Sequence, residues 1–435
     1  MTTIPRSEPA IPGSQLGSRG RAWAIVAMIV LLMMINFGDK AVMGLAAKPL
    51  MEEMGLDATR FGAVSSSFYL LFSLSALVVG FVSNRVSTTT ILGVIALLWS
   101  LATLPILILA AVPMLYLSRI TLGGAEGPTA PIAAHAVQKW FPEQSRAVPT
   151  ALTTMGGALG LAVTAPTLTY FITNHGWRSA FAVLAVAGLL WAAAWSVIGK
   201  EGPYRTYRSG AVGLTTDPID EHVVSHRRLF TSRTWLGGLI GGMGAYWALA
   251  VATAWLPTLL ERGRGYSTSK TALLVAVPSV FAAVAILAVP FVSERLIRRG
   301  ISARLALGVT AGVTVLIAGV AAIAAGHTSG PLLIVLVAIA FGLPSAFYPL
   351  SFLMCGRISP VRQRGAVMAT ATAVTTLTGV VAPVVTGRVI DAAGGPEAAF
   401  TRVFLIAGVI LIVCGAVSAA ALHPDADARR FDLQR

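Results

Sequence analysis

Twelve apolar runs, each long enough to cross a bilayer, dominate the sequence and leave little room for a soluble fold. They lie at about 22–46, 61–82, 90–112, 114–137, 147–173, 179–199, 235–260, 271–293, 302–325, 330–354, 365–390 and 399–422. A spanning helix needs about 20 predominantly apolar residues, whereas a barrel strand needs only about ten in alternation. The runs are apolar all round, which a helix on a soluble core is not. A chain that is 56% hydrophobic and 11% charged, with mean hydropathy +0.78, therefore reads as a polytopic helical membrane protein.

The net charge of +14 would suit a nucleic-acid partner if it were clustered on one soluble face. It is not. With the amino terminus placed in the cytoplasm, 22 of the 32 Lys and Arg fall on the cytoplasmic side, 8 on the other, and Lys40 and Arg119 within spans. This is the positive-inside bias; it puts both termini in the cytoplasm and makes membrane lipid, not nucleic acid, the partner. Residues 1–21 lack an apolar signal core, so the first run itself directs insertion. Cys355 and Cys414 both fall in apolar runs, so neither a disulfide nor a metal site is expected. No nucleophile–base pair or phosphate loop is found, and neither enzymatic activity nor a cofactor is expected.

The longest polar stretch, about 200–234, separates six runs from six. This divides the chain into an amino-terminal bundle (1–199), a cytoplasmic linker (200–234) and a carboxy-terminal bundle (235–435). The halves echo one another: "FVSNR" (Phe81–Arg85) follows the second run and "FVSER" (Phe291–Arg295) the eighth. Arg146 followed by Ala165–Pro166 is echoed by Arg364 followed by Ala382–Pro383. Paired six-helix halves with a site between them at the membrane midplane are the build of secondary transporters. The expected fold is an all-α membrane protein of twelve helices in two pseudo-symmetric bundles around a central cavity.

Several motifs carry a family resemblance over essentially the whole length. "GFVSNRVSTTT" resembles the loop 2–3 motif of the major facilitator superfamily, with Asn84 in place of its usual Asp and Ser87–Thr90 in place of its basic tail. "RITLGGAEGPTAPIAAHAVQKWFPEQSRA", "GWRSAF", "WLPT" and "VVAPVVTGRVIDAAG" resemble the anion:cation symporter branch of that superfamily. The resemblance implies alternating access, and makes Asn84, Arg85 and Arg146, with Glu294, Arg295 and Arg364 in the second half, candidates for gating.

Only four charges lie deep in the runs: Asp39, Lys40, Arg119 and Glu126, all in the first and fourth. A charge at the bilayer centre costs at least about 2.5–3.5 kcal/mol, so such residues face a cavity or a partner. Helix rise places Asp39 and Arg119 at similar depth, and the seven-residue spacing puts Arg119 and Glu126 on one face. Two readings follow. Asp39–Lys40 and Arg119–Glu126 can be static pairs that pin helices. Alternatively, protonation of the two carboxylates exposes two cations that attract an anion, which couples substrate to protons.

The resemblance agrees with the second: in sugar-acid members, an acid–base pair in span one and an Arg and Glu in span four serve proton coupling and carboxylate binding. Asp39 and Glu126 then couple protons, while Lys40 and Arg119 bind substrate, with Asn36, Tyr246, Trp247, Ser345 and Tyr348 as further candidates. Lys40 stands where the branch usually has Arg and cannot form a planar bidentate fork, which leaves carboxylate clamping more to Arg119. Gly157 stands where sugar-acid members tend to carry an amide. His135 points away from Glu126. Pro128, Pro131, Pro257, Pro278, Pro344 and Pro349 are candidate bends. The expectation is a monomeric, bacterial inner-membrane symporter that imports a small organic carboxylate with protons. The alternatives are proton-driven efflux of drugs or metabolites and a membrane receptor that does not transport.

Overall fold

The computed structural model describes residues 16–82, 86–141, 145, 147–203, 224–360 and 363–433; Asn84, Arg85 and Arg146 lie outside them. All regular structure among the described residues is helical. The spans are α1 (Arg19–Leu45), α2 (Ala58–Val79), α3 (Thr88–Ile108), α4 in two pieces (Val112–Glu126 and Thr129–Gln138), α5 (Val148–His175) and α6 (Trp177–Ile198). The second half follows with α7 (Arg233–Ala254), α8 (Thr268–Arg298), α9 (Arg304–Gly326), α10 (Gly330–Ile358), α11 (Arg364–Asp391) and α12 (Pro396–Ala421). Together they form two six-helix bundles, with large apolar side chains such as Leu190, Val197, Leu273 and Val284 turned outward to lipid.

Eleven of the expected spans are long and apolar enough to cross a bilayer as they stand, and the fourth is the exception. It breaks at Gly127–Pro128, directly after Glu126. Proline lacks the N–H that would continue the ladder, so the chain restarts one residue later. Pro344 likewise sits in a 3-10 turn (Leu343–Ala346) that interrupts α10, and Pro257 opens a short helix (Leu256–Arg264) after α7. Pro131 and Pro349 fall in first turns, where the missing N–H costs little, and α8 runs through Pro278 without a break. Three of the six candidate bends are thus breaks.

Small residues set how closely α4 approaches its neighbours. A Cβ on Gly123 would lie 1.7 Å from the Phe68 carbonyl oxygen of α2, so only glycine permits this approach. Gly123 lies between Arg119 and Glu126, and its contact holds their stretch of α4 inside the bundle.

The halves meet at the end remote from the chain termini. The carboxylate of Asp391, at the end of α11, accepts from the backbone N–H of Ala58 (3.1 Å) and Thr59 (2.7 Å) and from the Thr59 hydroxyl (2.6 Å). A helix start exposes unpaired N–H groups and a partial positive charge, so Asp391 caps α2 from across the interface. Arg262 pairs with Glu52 at 3.4 Å, and the rings of Phe61 and Trp255 meet edge-on at 5.1 Å.

At the end near the termini, polar contacts form within each half. Glu201 accepts from Thr88 Oγ1 (2.7 Å), the Thr89 N–H (2.9 Å) and Lys139 Nζ (2.7 Å). Burial pushes its carboxyl up, but Lys139 and the threonine donors outweigh that and hold it down to about 2. On the other side, Gln363 exchanges two hydrogen bonds with the Val224 backbone, and Asp427 accepts from the Thr234 N–H at 2.8 Å.

Two outcomes follow. Asp391→Ala removes the cap on α2 and should cost about 0.5–2 kcal/mol of closure, or about two- to thirtyfold in the closed population. Labelling of Ala254→Cys by a membrane-impermeant maleimide should rise by that factor, and an unchanged rate would show that the cap does not hold the halves together. Because the folded Glu201 carboxyl is depressed, its stabilisation is fully present above the ordinary carboxylate range and is lost as pH falls toward 2. Melting measured from pH 6 to 3 should show that loss in the parent and a smaller slope in Glu201→Gln.

Candidate functional site

One turn of α1 and two turns of α4 supply the charged cluster. Lys40 Nζ lies 3.4 Å from Glu126 Oε2 and donates to Asn36 Oδ1 at 2.5 Å. The separation from Glu126 is longer than a charge-assisted hydrogen bond, about 2.7–2.9 Å, so this is an ion pair rather than a tight bond. Asn36 and Phe37 precede Lys40 by four and three residues, the helical spacings that place side chains on one face. The ammonium sits 4.7 Å from the Phe37 ring centroid and 5.4 Å from that of Phe72, so aromatic faces supplement its single counter-ion. Arg119 Nη1 donates to the Asp39 backbone carbonyl at 3.4 Å, and its guanidinium lies 5.3 Å from the Phe181 ring.

Asp39, Arg119 and Glu126 are each 1% exposed, so no bulk water screens them. The pairing is not the within-helix pairing left open by the sequence. Adjacent residues on a helix diverge, so Asp39 and Lys40 do not close on each other. Arg119 and Glu126 share a face but lie two turns apart, about 10 Å along the axis. Lys40 therefore reaches across to Glu126, and Arg119 reaches across to the main chain of Asp39. Asp39 Oδ2, both Glu126 carboxylate oxygens and two of the Arg119 nitrogens, Nε and Nη2, have no hydrogen-bond partner among the described residues. Buried polar atoms are usually satisfied, so five such atoms in one cluster mark a candidate site for a ligand carboxylate or a proton.

Two cavities flank this cluster and share Thr253. The smaller, about 20 Å³, is lined by Lys40, Ser65, Tyr69, Arg119 and Thr253 and has room for about one water. The larger, about 170 Å³, lies between the halves and is lined by Phe37, Ala41, Thr253, Phe341, Ser345 and Tyr348 among others. Ser345 and Tyr348 thus stand on its wall. Tyr246 and Trp247 pack in the core instead, Tyr246 edge-on against Tyr69 at 5.7 Å.

Of the gating candidates, Glu294 pairs with Arg298 one turn along α8 rather than with Arg295, and Arg364 donates to the Ser359 carbonyl at 3.2 Å. Phe37, Phe72, Tyr69, Ser65 and Thr253 were not singled out by the sequence. Phe37 could have been, from its spacing to Lys40; the others arrive through packing of α2 and α7.

A family model described as Major Facilitator Superfamily matches residues 29–324. The chain is 27% identical over 298 residues to a probable L-galactonate transporter of Escherichia coli (strain K12), covering 66% of this chain and 65% of that one, slightly under two thirds of its length. It is 28% identical over 297 residues to a probable sulfoacetate transporter of Cupriavidus necator, covering 65% and 67%. It is 24% identical over 391 residues to a hexuronate transporter of Bacillus subtilis (strain 168), covering 88% and 90%. Among solved structures, it superposes on an inward-facing bacterial homologue of the human lysosomal transporter Spinster with TM-score 0.75 at 19% identity, over 94% of this chain and 98% of that one. The D-xylose–proton symporter gives 0.73 at 16% identity, over 93% and 99%. These likenesses show the fold.

Removing one member of a buried pair strands the other. Glu126→Leu should cost about 3–5 kcal/mol of stability, and adding Lys40→Met should restore most of it. Thermal unfolding in detergent measures both; a Glu126→Leu protein as stable as the parent would show that Lys40 does not depend on Glu126.

Proposed function

This chain belongs to the Major Facilitator Superfamily and is a membrane transporter, and from that premise we propose that it imports a small organic anion together with protons by alternating access. The observation that carries the proposal is the Lys40–Glu126 pair, 3.4 Å apart and sealed between α1 and α4 beside an Arg119 that has no carboxylate within 4 Å among the described residues. With both Asp39 and Glu126 ionised, the four charges of the cluster cancel. Protonating them frees Lys40 and leaves two cations without counter-ions. A substrate carboxylate then replaces the protein's own, Arg119 offering its free nitrogens and Lys40 its ammonium. The substrate carboxylate and the ionised Asp39 and Glu126 compete for the same cations, so binding favours protonation, which is the physical content of symport coupling.

The arrangement of contacts supports an order of events. Asp391 and the Glu52–Arg262 pair close the end remote from the termini, so substrate exchange in this state runs toward the end that the charge bias assigns to the cytoplasm. The names of the relatives, transporters of galactonate, sulfoacetate and hexuronate, support an organic anion as cargo. A second reading, proton-driven efflux of an amphipathic compound, is favoured by the largely apolar wall of the larger cavity.

Proteoliposomes separate the two. In the import reading, an inward proton gradient drives accumulation of a labelled carboxylate; accumulation only with an acidic interior would support efflux. Glu126→Gln cannot release a proton yet keeps its shape, so it should retain substrate–substrate exchange, lose gradient-driven accumulation and bind with little pH dependence. A folded Glu126→Gln protein that still concentrates substrate would remove Glu126 from coupling and leave Asp39 in that role.

A further inference from the structure

We propose that the transported anion carries its carboxylate on one apolar ring, or on a branched chain of similar bulk, rather than on a polyhydroxylated chain; this rests on the organic-anion reading above. The argument begins with the larger cavity. Its walls are Leu161 of α5, Leu249 of α7, Val275 and Ile286 of α8, Phe341 of α10, and Phe37 of α1. At about 170 Å³ it is close to the ~150 Å³ cavity lined by Leu, Ile and Phe that accepts benzene. Both its size and its lining suit a ring.

The polar inventory of the wall is short. Thr154, Thr253, Ser279, Ser345 and Tyr348 contribute hydroxyls, and the lining contains no amide or charged side chain. The Thr253 hydroxyl is spent on the Leu249 carbonyl at 3.0 Å, whereas the Tyr348 hydroxyl has no partner among the described residues. A sugar acid brings a hydroxyl on nearly every carbon, and each one buried without a partner weakens binding roughly tenfold. An apolar body meets no such penalty.

Phe37 joins this wall to the charges. A Cβ on Gly157 would lie 2.5 Å from a ring carbon of Phe37, so the ring occupies the space that a side chain at 157 would fill. The same ring lies 4.7 Å from Lys40 Nζ. A ligand ring in the cavity therefore lies against Phe37, and its carboxylate points past Thr253 toward Lys40 and Arg119. Selectivity follows from the absence of a hydrogen-bonding side chain at Gly157 as much as from the presence of Phe37.

Calorimetric titration of the purified full chain in nanodiscs with benzoate, cyclohexanecarboxylate, D-galactonate and benzyl alcohol tests this. Both ring carboxylates should bind at least tenfold more tightly than galactonate, and benzyl alcohol at least tenfold more weakly than benzoate. Ala282→Phe, which fills the cavity, should weaken benzoate at least tenfold. Ile286→Ala, which enlarges it, should improve 1-naphthoate relative to benzoate about tenfold, and its melting temperature reports whether it folds. Galactonate binding as tightly as benzoate, no binding of either ring carboxylate, or an unchanged naphthoate preference in folded Ile286→Ala would overturn the proposal. Benzyl alcohol binding as tightly as benzoate would instead overturn the organic-anion reading on which it rests.

Discussion

An ammonium held in hydrocarbon must be given partners, and in this protein the partners of Lys40 determine how the first bundle is assembled. Its counter-ion, Glu126, lies on another helix, so α1 and α4 must approach within one side-chain length at that level. That approach is possible because Gly123 lets α4 press against the α2 backbone at Phe68, and because α4 ends its first piece directly after Glu126. The aromatic rings of Phe37 and Phe72 then complete the shell around the ammonium. A helix packed on apolar side chains alone would be cheaper to build. In the proposed symport this pair is the switch, since only groups that titrate or exchange partners can report a proton to a substrate.

The two halves contribute different chemistry to the centre. Among the described residues the first supplies the deep charges and part of the larger cavity's wall, through Phe37, Ala41, Thr154, Ala158 and Leu161, whereas the second supplies hydroxyls and apolar surface from α7, α8 and α10. Thr253 of α7 lines both cavities and so stands where the two kinds of surface meet. The interface between halves is held at the remote end, where the Asp391 cap on α2 joins backbone to carboxylate. Such a contact can be broken and remade at modest cost, as the proposed alternating access requires.

Legibility differed between the fold and the site for a physical reason. Twelve spans, their helical character and their arrangement in two halves followed from hydrocarbon thickness and an internal echo, because a bilayer imposes its constraint on each segment separately. The exception, α4, is instructive: its composition reads as one span, and only the local backbone at Gly127–Pro128 divides it. Asp39, Lys40, Arg119 and Glu126 were also legible, since a charge in an apolar run stands out whatever the fold.

Which charge meets which was a different matter. The sequence left pairs within one helix open and could not bring α1 to α4, so the crossed pairing of Lys40 with Glu126 and of Arg119 with the Asp39 carbonyl came only from packing. The same holds for the ligand cavity. Tyr246 and Trp247 look as suitable as Ser345 and Tyr348 in the sequence, yet only the latter two line the larger cavity, and Tyr246 packs instead against Tyr69 of the smaller one. The sequence alone determined where charge is tolerated in the membrane and how many times the chain crosses it, because those are properties of single segments. Only tertiary structure decided what each charge touches and which apolar residues line the larger cavity, because those depend on distances between helices that no segment encodes alone.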